Sequence, residues 1–294
     1  MSPSVPADRV AVVGLGRMGA AMARRLSGAG RPLVVFNRTA ARAAEVAEPT
    51  GAAVAGSPGE AAAGADVVLV SLADDAAVEA TYGGPDGLAA GLRSGGVVLE
   101  TSTVAPATVR AQAPLVEQRS ATLLDAPVSG SVPLVESGQL TFMVGGDEDA
   151  LDRVRPVLDI LAGRVFHLGE LGNGATMKLA VNSALHGLNQ ALSEALVLAE
   201  KAGLDRRQAY DVFAASALGA PWVQYKREAF ERPEDAGVAF MLDLVAKDLE
   251  LVDALARSVG ARMEQLAANR RLVREAVDSG YGQRDMSALA VLLR

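Results

Sequence analysis

A glycine-rich turn between an apolar run and a helical stretch is the strongest constraint on how this chain folds. Residues 10–26 read VAVVGLGRMGAAMARRL, so Gly14, Gly16 and Gly19 follow a predicted strand and open a predicted helix. In a G-x-G-x-x-G pattern the first glycine allows a tight turn, the second lets the backbone approach a pyrophosphate, and the third permits close helix–strand contact. The helix N-terminus offers N–H groups and a positive dipole end to the phosphates. The pattern predicts a dinucleotide-binding unit.

The residues between these glycines belong to the same predicted loop. Leu15, Arg17 and Met18 are therefore expected to contact the cofactor. The alternative is a glycine-rich turn in an α/β fold that binds no nucleotide. A strand, turn, helix and second strand at the expected spacing favour the dinucleotide site.

Short apolar runs alternate with helical stretches from about residue 9 to residue 166. The runs are VAVVGLG, PLVVFNR, DVVLVSL, GVVLETST, LDAPVSG, LTFMVGG and GRVFHLG. Uninterrupted apolar runs are typical of strands buried on both faces, and intervening helices indicate a mostly parallel sheet. This part is predicted to be an α/β domain with a Rossmann-type doubly wound sheet.

The pattern changes after residue 168. Residues 174–202 form one long helical pattern without proline, and further helical stretches continue to residue 294, interrupted near GAPW and RPEDAG. No strand-like alternation occurs there, which predicts an all-α domain. We expect a dinucleotide-binding domain over residues 1–168 and a helical substrate and dimerisation domain over residues 169–294, joined by the long helix.

Composition excludes several function classes. The net charge is −7 and no basic run stands out, so nucleic-acid binding is not expected. Cysteine is absent and only His167 and His186 are present, which excludes thiolate chemistry and a histidine-rich metal centre. The N-terminal MSPSVPADR lacks the features of a signal peptide, and no uncharged apolar run approaches membrane-spanning length. The expectation is a soluble cytoplasmic protein without a metal.

The end of the second predicted strand bears on the choice of cofactor. An NAD site usually has an acidic residue there to bind the ribose hydroxyls, whereas this chain has Asn37, followed by Arg38 and Thr39. Loss of the carboxylate removes repulsion of a 2′-phosphate, and a guanidinium binds that phosphate bidentately. NADP(H) is predicted, with NAD possible. The alternative is that Arg38 is a solvated residue beside a helix start.

Four motifs, spread over most of the chain, bear on its family. They are VGLGRMGAAMARRL, DAPVSGS at 125–131, GNGATMKLAVN at 172–182 and KDLEL at 247–251. Together they resemble the dinucleotide motif, substrate loop, catalytic helix and cofactor-side C-terminal motif of the β-hydroxyacid dehydrogenase family. That family includes 3-hydroxyisobutyrate dehydrogenases, tartronate semialdehyde reductases and glyoxylate/succinic semialdehyde reductases. The resemblance implies a homodimer or homotetramer formed through the helical domain, with the substrate in a cleft between domains.

Two positions depart from the family pattern. The loop reads Ser129-Gly130-Ser131 instead of Ser-Gly-Gly, as in the glyoxylate/succinic semialdehyde reductase branch, but the following VPLVESGQL lacks the lysine pair expected of that branch. Ser183 follows Asn182 where many members carry a second asparagine. The reaction type is therefore predicted, and the particular aldehyde is left open.

Hydride transfer to an aldehyde builds negative charge on oxygen, so a proton donor is required within hydrogen-bond reach. Lys178 suits this role because burial and a nearby nicotinamide cation would depress the pKa of its amine. Asn182, one helical turn further on, could hold the substrate oxygen without adding charge. The resemblance implies the same catalytic roles. The alternative for Lys178 is a side chain that extends its amine into solvent.

The remaining candidates surround this pair. Ser129 and Gly130, with Ser131, are predicted to bind the substrate carboxylate through a hydroxyl and backbone N–H groups, although an ordinary turn is the alternative. Leu72 and Thr103 are assigned to the cofactor side. Lys247 resembles a lysine that approaches the cofactor from the helical domain, or it is a solvated charge paired with nearby acids.

The two histidines are left out of the predicted site. His167 follows an apolar run and is interpreted as structural. His186 could line the pocket, but nothing in the spacing provides it with an acidic partner.

Three alternative functions are compatible with these observations. The first is an NADPH-linked reductase of small carboxylated aldehydes, or the reverse oxidation of hydroxyacids. The second is an imine reductase of the same architecture, against which Lys178 argues because those enzymes commonly have Asp or Tyr at this position. The third is a non-catalytic dinucleotide-binding protein, which the presence of Lys178, Asn182 and Ser129 disfavours.

Overall fold

The computed structural model describes residues 9–233 and 237–294. The N-terminal segment through residue 8, in which no signal-peptide features were found, lies outside the described residues, as do residues 234–236 of the RPEDAG interruption. The chain divides into two compact units, one up to Lys178 and one from Leu179 to Arg294.

The first unit contains a parallel sheet, as predicted, and this sheet has six strands. Its strand order is β3-β2-β1-β4-β5-β6. The strands are β1 (Val10–Val13), β2 (Leu33–Phe36), β3 (Ala53–Val54), β4 (Val67–Val70), β5 (Val97–Glu100) and β6 (Thr122–Asp125). The order reverses between β1 and β4, and such a switch point opens a ligand crevice at the carboxyl ends of the strands.

Helices cover both faces of this sheet. They are α1 (Arg17–Gly28), α2 (Ala40–Thr50), α3 (Pro58–Ala62), α4 (Asp75–Tyr82), α5 (Leu88–Gly91), α6 (Pro106–Glu117), α7 (Val132–Glu136) and α8 (Glu148–Leu161). In β1, Val10 and Val12 enter one hydrophobic cluster, whereas Ala11 and Val13 enter another. Burial on both faces explains why the strands appear in the sequence as continuous apolar runs.

The last three predicted runs give a second, smaller sheet that the sequence did not separate from the first. It has the order β7-β8-β9, with β7 (Val128–Ser129), β8 (Leu140–Val144) and β9 (Ala162–His167). Strand β7 is antiparallel to β8, and β8 is parallel to β9. The run LDAPVSG therefore contributes the end of β6 and all of β7, because the chain leaves the main sheet after Asp125.

The second unit is helical, as predicted. Helix α9 (Asn173–Lys201) starts in the first unit and continues as the first helix of the second. The other helices are α10 (Arg206–Ala215), α11 (Pro221–Glu231), α12 (Leu242–Val259), α13 (Glu264–Ala276) and α14 (Leu289–Leu292), with short helical turns at Val277–Tyr281 and Met286–Ala288. In the described part of this unit, extended pairing is limited to an isolated bridge between Met241 and Asp285.

A buried ion pair lies inside the second unit. The Lys226 Nζ lies 2.7 Å from both carboxylate oxygens of Asp285. Asp285 also accepts hydrogen bonds from the backbone N–H groups of Ala239, Phe240 and Ser287. The pair therefore anchors the segment before α12 to the turn before α14. None of the helices in the described ranges is both long and apolar enough for a membrane crossing.

Candidate active site

The glycine loop connects β1 to α1 as the motif predicts. Gly14 has φ +90°, and a Cβ there would overlap the carbonyl oxygen of Ser71. A Cβ at Gly19 would overlap the carbonyl oxygen of Gly14, so these two glycines permit close packing. A Cβ at Gly16 would meet no atom within 4 Å, and no side chain caps α1 at this residue. The loop thus leaves open space in front of an uncapped helix N-terminus, which suits a phosphate group.

Asn37 holds this loop from the end of β2. Its Oδ1 accepts a hydrogen bond from the Leu15 backbone N–H at 3.0 Å, and its Nδ2 donates to the Thr39 carbonyl at 3.1 Å. Sequence reasoning assigned Asn37 to the cofactor and did not anticipate this bond. Arg38 is exposed, and its side chain has no partner within the described residues. The guanidinium is therefore available for a ligand.

The predicted residues Leu72 and Thr103 follow β4 and β5. The Leu72 side chain lies against Gly14, and its backbone N–H donates to the Ser102 Oγ at 2.8 Å. Thr103 is half-buried directly after Ser102, while Arg17 is exposed and Met18 half-buried in the first turn of α1. Together with Asn37, these contacts bring the ends of β1, β2, β4 and β5 to one edge of the sheet.

A buried acid supports this edge and was missed from the sequence. Glu100 accepts hydrogen bonds from the Tyr82 hydroxyl at 3.0 Å and from the Ser102 backbone N–H at 2.9 Å. Burial raises the pKa of Glu100 to about 7. The pKa of the Tyr82 hydroxyl is also raised, first by burial and then by the charge of Glu100.

The predicted carboxylate-binding loop follows β7. Ser129 is half-buried and lies opposite Thr141 in the β7–β8 pair, Gly130 is exposed, and Ser131 is half-buried before α7. Neither serine hydroxyl has a hydrogen-bond partner within the described residues, and Ser131 does not cap α7 through its side chain. Both hydroxyls are available to a ligand.

The start of the predicted catalytic helix is tied to the main sheet by Asp125. This buried carboxylate accepts hydrogen bonds from the backbone N–H groups of Gly172 at 2.8 Å and Ala175 at 2.6 Å. Burial raises the pKa of Asp125, although these bonds oppose the shift. Gly172 has φ +94°, and a Cβ at Gly174 would overlap the Met143 carbonyl oxygen. The GNG sequence is thus explained by the tight approach of α9 to β6 and β8.

Lys178 and Asn182 both lie on α9, four residues apart. Lys178 is half-buried, and Asn182 is buried. The Asn182 Nδ2 donates to the Asp248 Oδ2 at 2.6 Å. Because a carboxylate only accepts, this bond sets which way the amide points.

Within the second unit, the carboxylate of Asp248 contacts Asn182, His186 and Lys247. Its Oδ2 also lies 3.5 Å from the Nε2 of the buried His186, and its Oδ1 lies 3.1 Å from the Lys247 Nζ. Spacing along the sequence provided no acidic partner for His186, and this expectation was wrong because Asp248 reaches it from α12. The motif KDLEL contained the missing residue, but only Lys247 was selected from it. No metal-binding group of three or more His, Asp or Glu side chains is found in the ranges that the structure describes.

Comparison with known proteins agrees with this architecture. Residues 9–169 match the family model for the NAD binding domain of 6-phosphogluconate dehydrogenase, and residues 172–293 match the model for the NAD-binding of NADP-dependent 3-hydroxyisobutyrate dehydrogenase. The chain belongs to the β-hydroxyacid dehydrogenase family. It is accordingly an NAD(P)-dependent dehydrogenase, and the predicted family is confirmed.

Individual relatives cover nearly the whole of this β-hydroxyacid dehydrogenase. It is 35% identical to the NAD-dependent L-serine dehydrogenase of Pseudomonas aeruginosa, with 97% of each chain covered. It is 33% identical to the chloroplastic glyoxylate/succinic semialdehyde reductase 2 of Arabidopsis thaliana, covering 97% of this chain and 79% of the relative. The structure of Mycobacterium tuberculosis 3-hydroxyisobutyrate dehydrogenase with L-serine matches with a TM-score of 0.85 and 32% identity. The match covers 98% of this chain and 99% of that chain.

The residues of the glycine loop fit the nicotinamide dinucleotide that this family uses. Space at Gly16, the uncapped N-terminus of α1 and the exposed Arg38 are all located at the sheet edge where β1 and β2 end. A diphosphate is an anion that backbone N–H groups at a helix start bind well. The described residues thus provide the groups that a dinucleotide requires.

Proposed function

We propose that this dehydrogenase uses NADP(H) to interconvert a small carboxylated aldehyde and the corresponding hydroxyacid, with Lys178 as general acid and base. The observation that carries this proposal is the placement of Asn182 one turn after Lys178 on α9, with its amide oriented by Asp248. A charged donor and an oriented neutral amide on one helix face suit an alcohol–carbonyl conversion.

The roles of the chain's own residues follow from charge. When bound, the reduced nicotinamide supplies the hydride that converts the carbonyl to an alkoxide. The Lys178 ammonium donates a proton to that oxygen, and in the oxidative direction the neutral amine accepts the proton of the hydroxyl. The Asn182 Oδ1 is not used in the bond to Asp248, so it is the atom assigned to accept a hydrogen bond from the substrate hydroxyl and help orient the reacting groups.

Ser129, Gly130 and Ser131 are proposed to bind the substrate carboxylate. Their support is a partly exposed turn with two hydroxyls that have no hydrogen-bond partner among the described residues. Hydroxyls and backbone N–H groups suit a carboxylate. The names of the relatives, an L-serine dehydrogenase and a glyoxylate/succinic semialdehyde reductase, both denote small carboxylated molecules.

NADP(H) is proposed as the preferred cofactor because Arg38 is exposed and Asn37 brings no negative charge to the end of β2. In this assignment, the dinucleotide contacts Gly14, Leu15, Gly16, Arg17, Met18, Gly19, Asn37, Arg38, Thr39, Leu72, Thr103 and Lys247. The L-serine dehydrogenase relative is named NAD-dependent, so a measurable activity with NADH is also expected.

A functional division at residue 168 is proposed, with dinucleotide binding before it and substrate binding and self-association after it. The compact units separate ten residues later, inside α9, because that helix belongs to both. A cytoplasmic location is proposed together with a homodimer or homotetramer, and exposed apolar side chains of the helical unit support the self-association. They are Leu198 at 71% exposure, Val259 at 68% and Val212 at 67%.

The deciding experiment is steady-state kinetics with a panel of semialdehydes, hydroxyacids and cyclic imines, each with NADPH and NADH. Activity on a carboxylated aldehyde with a preference for NADPH supports the proposal. Activity on cyclic imines alone would favour an imine reductase, and dinucleotide binding without turnover on any compound would favour the non-catalytic alternative.

A further inference from the structure

His186 lies one turn after Asn182 on α9 and is buried in the helical unit. Its Nε2 lies 3.5 Å from the Asp248 Oδ2, and its ring packs against the Phe240 ring with centroids 5.9 Å apart. Its Nδ1 is buried and has no hydrogen-bond partner within the described residues. Among the described residues, Asp248 is thus the polar partner that orients the ring.

The Asp248 Oδ2 is shared by two side chains of the same helix. It accepts from the Asn182 Nδ2 at 2.6 Å and faces the His186 Nε2 at 3.5 Å. Because the carboxylate cannot donate, His186 is the donor at this contact, through its Nε2. Lys247 faces the other oxygen at 3.1 Å, so the carboxylate is held from both sides.

Rotation of this carboxylate would disturb the Asn182 amide. If the Asp248 side chain turned, the short bond to the Asn182 Nδ2 would lengthen or break, and the amide would lose the contact that sets its orientation. His186 opposes such a rotation at the same oxygen that Asn182 uses. A buried polar network fixes one arrangement best when each member has a partner.

We propose that His186 is a positioning residue of this dehydrogenase, acting through Asp248 to hold the Asn182 amide in its reactive orientation. This inference rests on the proposed function, in which Asn182 faces the reacting oxygen. His186 itself need not touch the substrate. A group that acts by orienting another changes turnover more than cofactor binding, since misplacement of a reacting group by about 1 Å can cost about 100-fold in rate.

The test compares three variants. His186→Leu removes the donor, His186→Gln keeps an N–H at similar reach, and His167→Leu alters the other, exposed histidine as a control. We expect kcat of His186→Leu to fall about 10- to 100-fold with the KM for NADPH unchanged, and His186→Gln to recover most of that loss. Unchanged kcat in His186→Leu, or an equal loss in His186→Gln, would overturn the proposal.

A second readout does not depend on catalysis. The side-chain amide signal of Asn182 in a ¹⁵N spectrum is identified by its loss in Asn182→Ala. We expect it to shift in His186→Leu and in Asp248→Asn, and to stay in place in His167→Leu. An unmoved signal in His186→Leu disproves the coupling even if the enzyme turns over none of the panel substrates. A shifted signal without turnover supports the coupling and counts against the proposed reaction instead.

Discussion

The Asp125 carboxylate at the end of β6 accepts a 2.6 Å hydrogen bond from the backbone N–H of Ala175 in the first turn of α9. The backbone N–H of Gly172 donates a second hydrogen bond to the same carboxylate, which is buried. This residue therefore connects the main sheet to the helix that carries Lys178 and Asn182. Its role gives the first prediction.

Asp125→Asn should destabilise the protein by about 2–3 kcal/mol, because one oxygen acceptor becomes an N–H₂ donor facing a backbone N–H. The free energy of unfolding in urea measures the effect. Asp147 caps α8 through a 2.7 Å bond from the Ala150 N–H and serves as the control. Asparagine is a good helix N-cap, so Asp147→Asn should change little. Equal effects of the two substitutions would contradict the assigned role.

Glu100 should make stability depend on pH. Burial raises the pKa of Glu100 from its ordinary value of 4.5 to about 7, so the folded state holds the proton more tightly than the unfolded state. The associated stability is fully present below about pH 4.5 and is lost as the pH rises through about 7. The free energy of unfolding should therefore be about 3 kcal/mol lower above pH 7 than below pH 4.5 through this one group.

Glu100→Gln mimics the protonated acid, retaining an acceptor for the Ser102 N–H and a donor toward the Tyr82 hydroxyl. Urea unfolding at intervals from pH 5 to pH 8 should show a smaller loss of stability for this variant than for the wild type. Parallel pH curves for the two proteins would rule out Glu100 as the source.

Substitution of one partner in the buried pair of Lys226 and Asp285 should lower the free energy of unfolding strongly. The positive charge of Lys226 lowers the pKa of Asp285 against the opposing effect of burial, which indicates a carboxylate that is ionised in the fold. Asp285→Ala removes the carboxylate whose two oxygens contact the Lys226 Nζ and should cost about 3–5 kcal/mol of unfolding free energy.

The double variant Lys226→Met/Asp285→Ala should be less destabilised than Asp285→Ala alone, since it removes both buried charges of the pair together. The exposed pair of Arg232 and Glu228 provides a control, and Glu228→Ala should change stability by less than about 1 kcal/mol. Denaturant unfolding of all four proteins decides whether the pair behaves in this way.

Lys178→Ala should lower kcat by about 100- to 10,000-fold, the range that a general acid contributes. The dissociation constant of NADPH, followed by fluorescence titration, should be nearly unchanged. Lys201 is the matched control, since it lies exposed at the end of the same helix and donates to the Arg294 carbonyl. Turnover of Lys178→Ala at the wild-type rate would remove the lysine from the mechanism.

Arg38→Ala should raise the KM for NADPH about 10- to 100-fold while leaving the KM for NADH nearly constant, because only NADPH carries the 2′-phosphate. Arg42→Ala removes an equally exposed positive charge on α2 and should affect the two cofactors alike. The ratio of kcat/KM values for the two cofactors is the measurement. A parallel change in that ratio for both variants would point to a general charge effect.

The sequence was sufficient for features that depend on neighbouring residues. The G-x-G-x-x-G turn, the apolar strand runs and the helix predicted over 174–202 are local patterns, and the structure has that helix at Asn173–Lys201. Strand β3 has only two residues, both exposed, so it left no apolar run to recognise. The separate second sheet was missed because an apolar run does not indicate which sheet its strand joins.

The partners of the candidate site were decided by tertiary structure. Asp125 and Ala175 are 50 residues apart in the chain, and Asn182 and Asp248 are 66 apart. His186 looked isolated because its acid comes from another helix, 62 residues further on. Periodicity determines which face of a helix or strand a residue occupies, but the partner it meets depends on how the elements pack. The sequence alone therefore determined the family and those elements that leave a local pattern, and packing determined which buried polar groups act together.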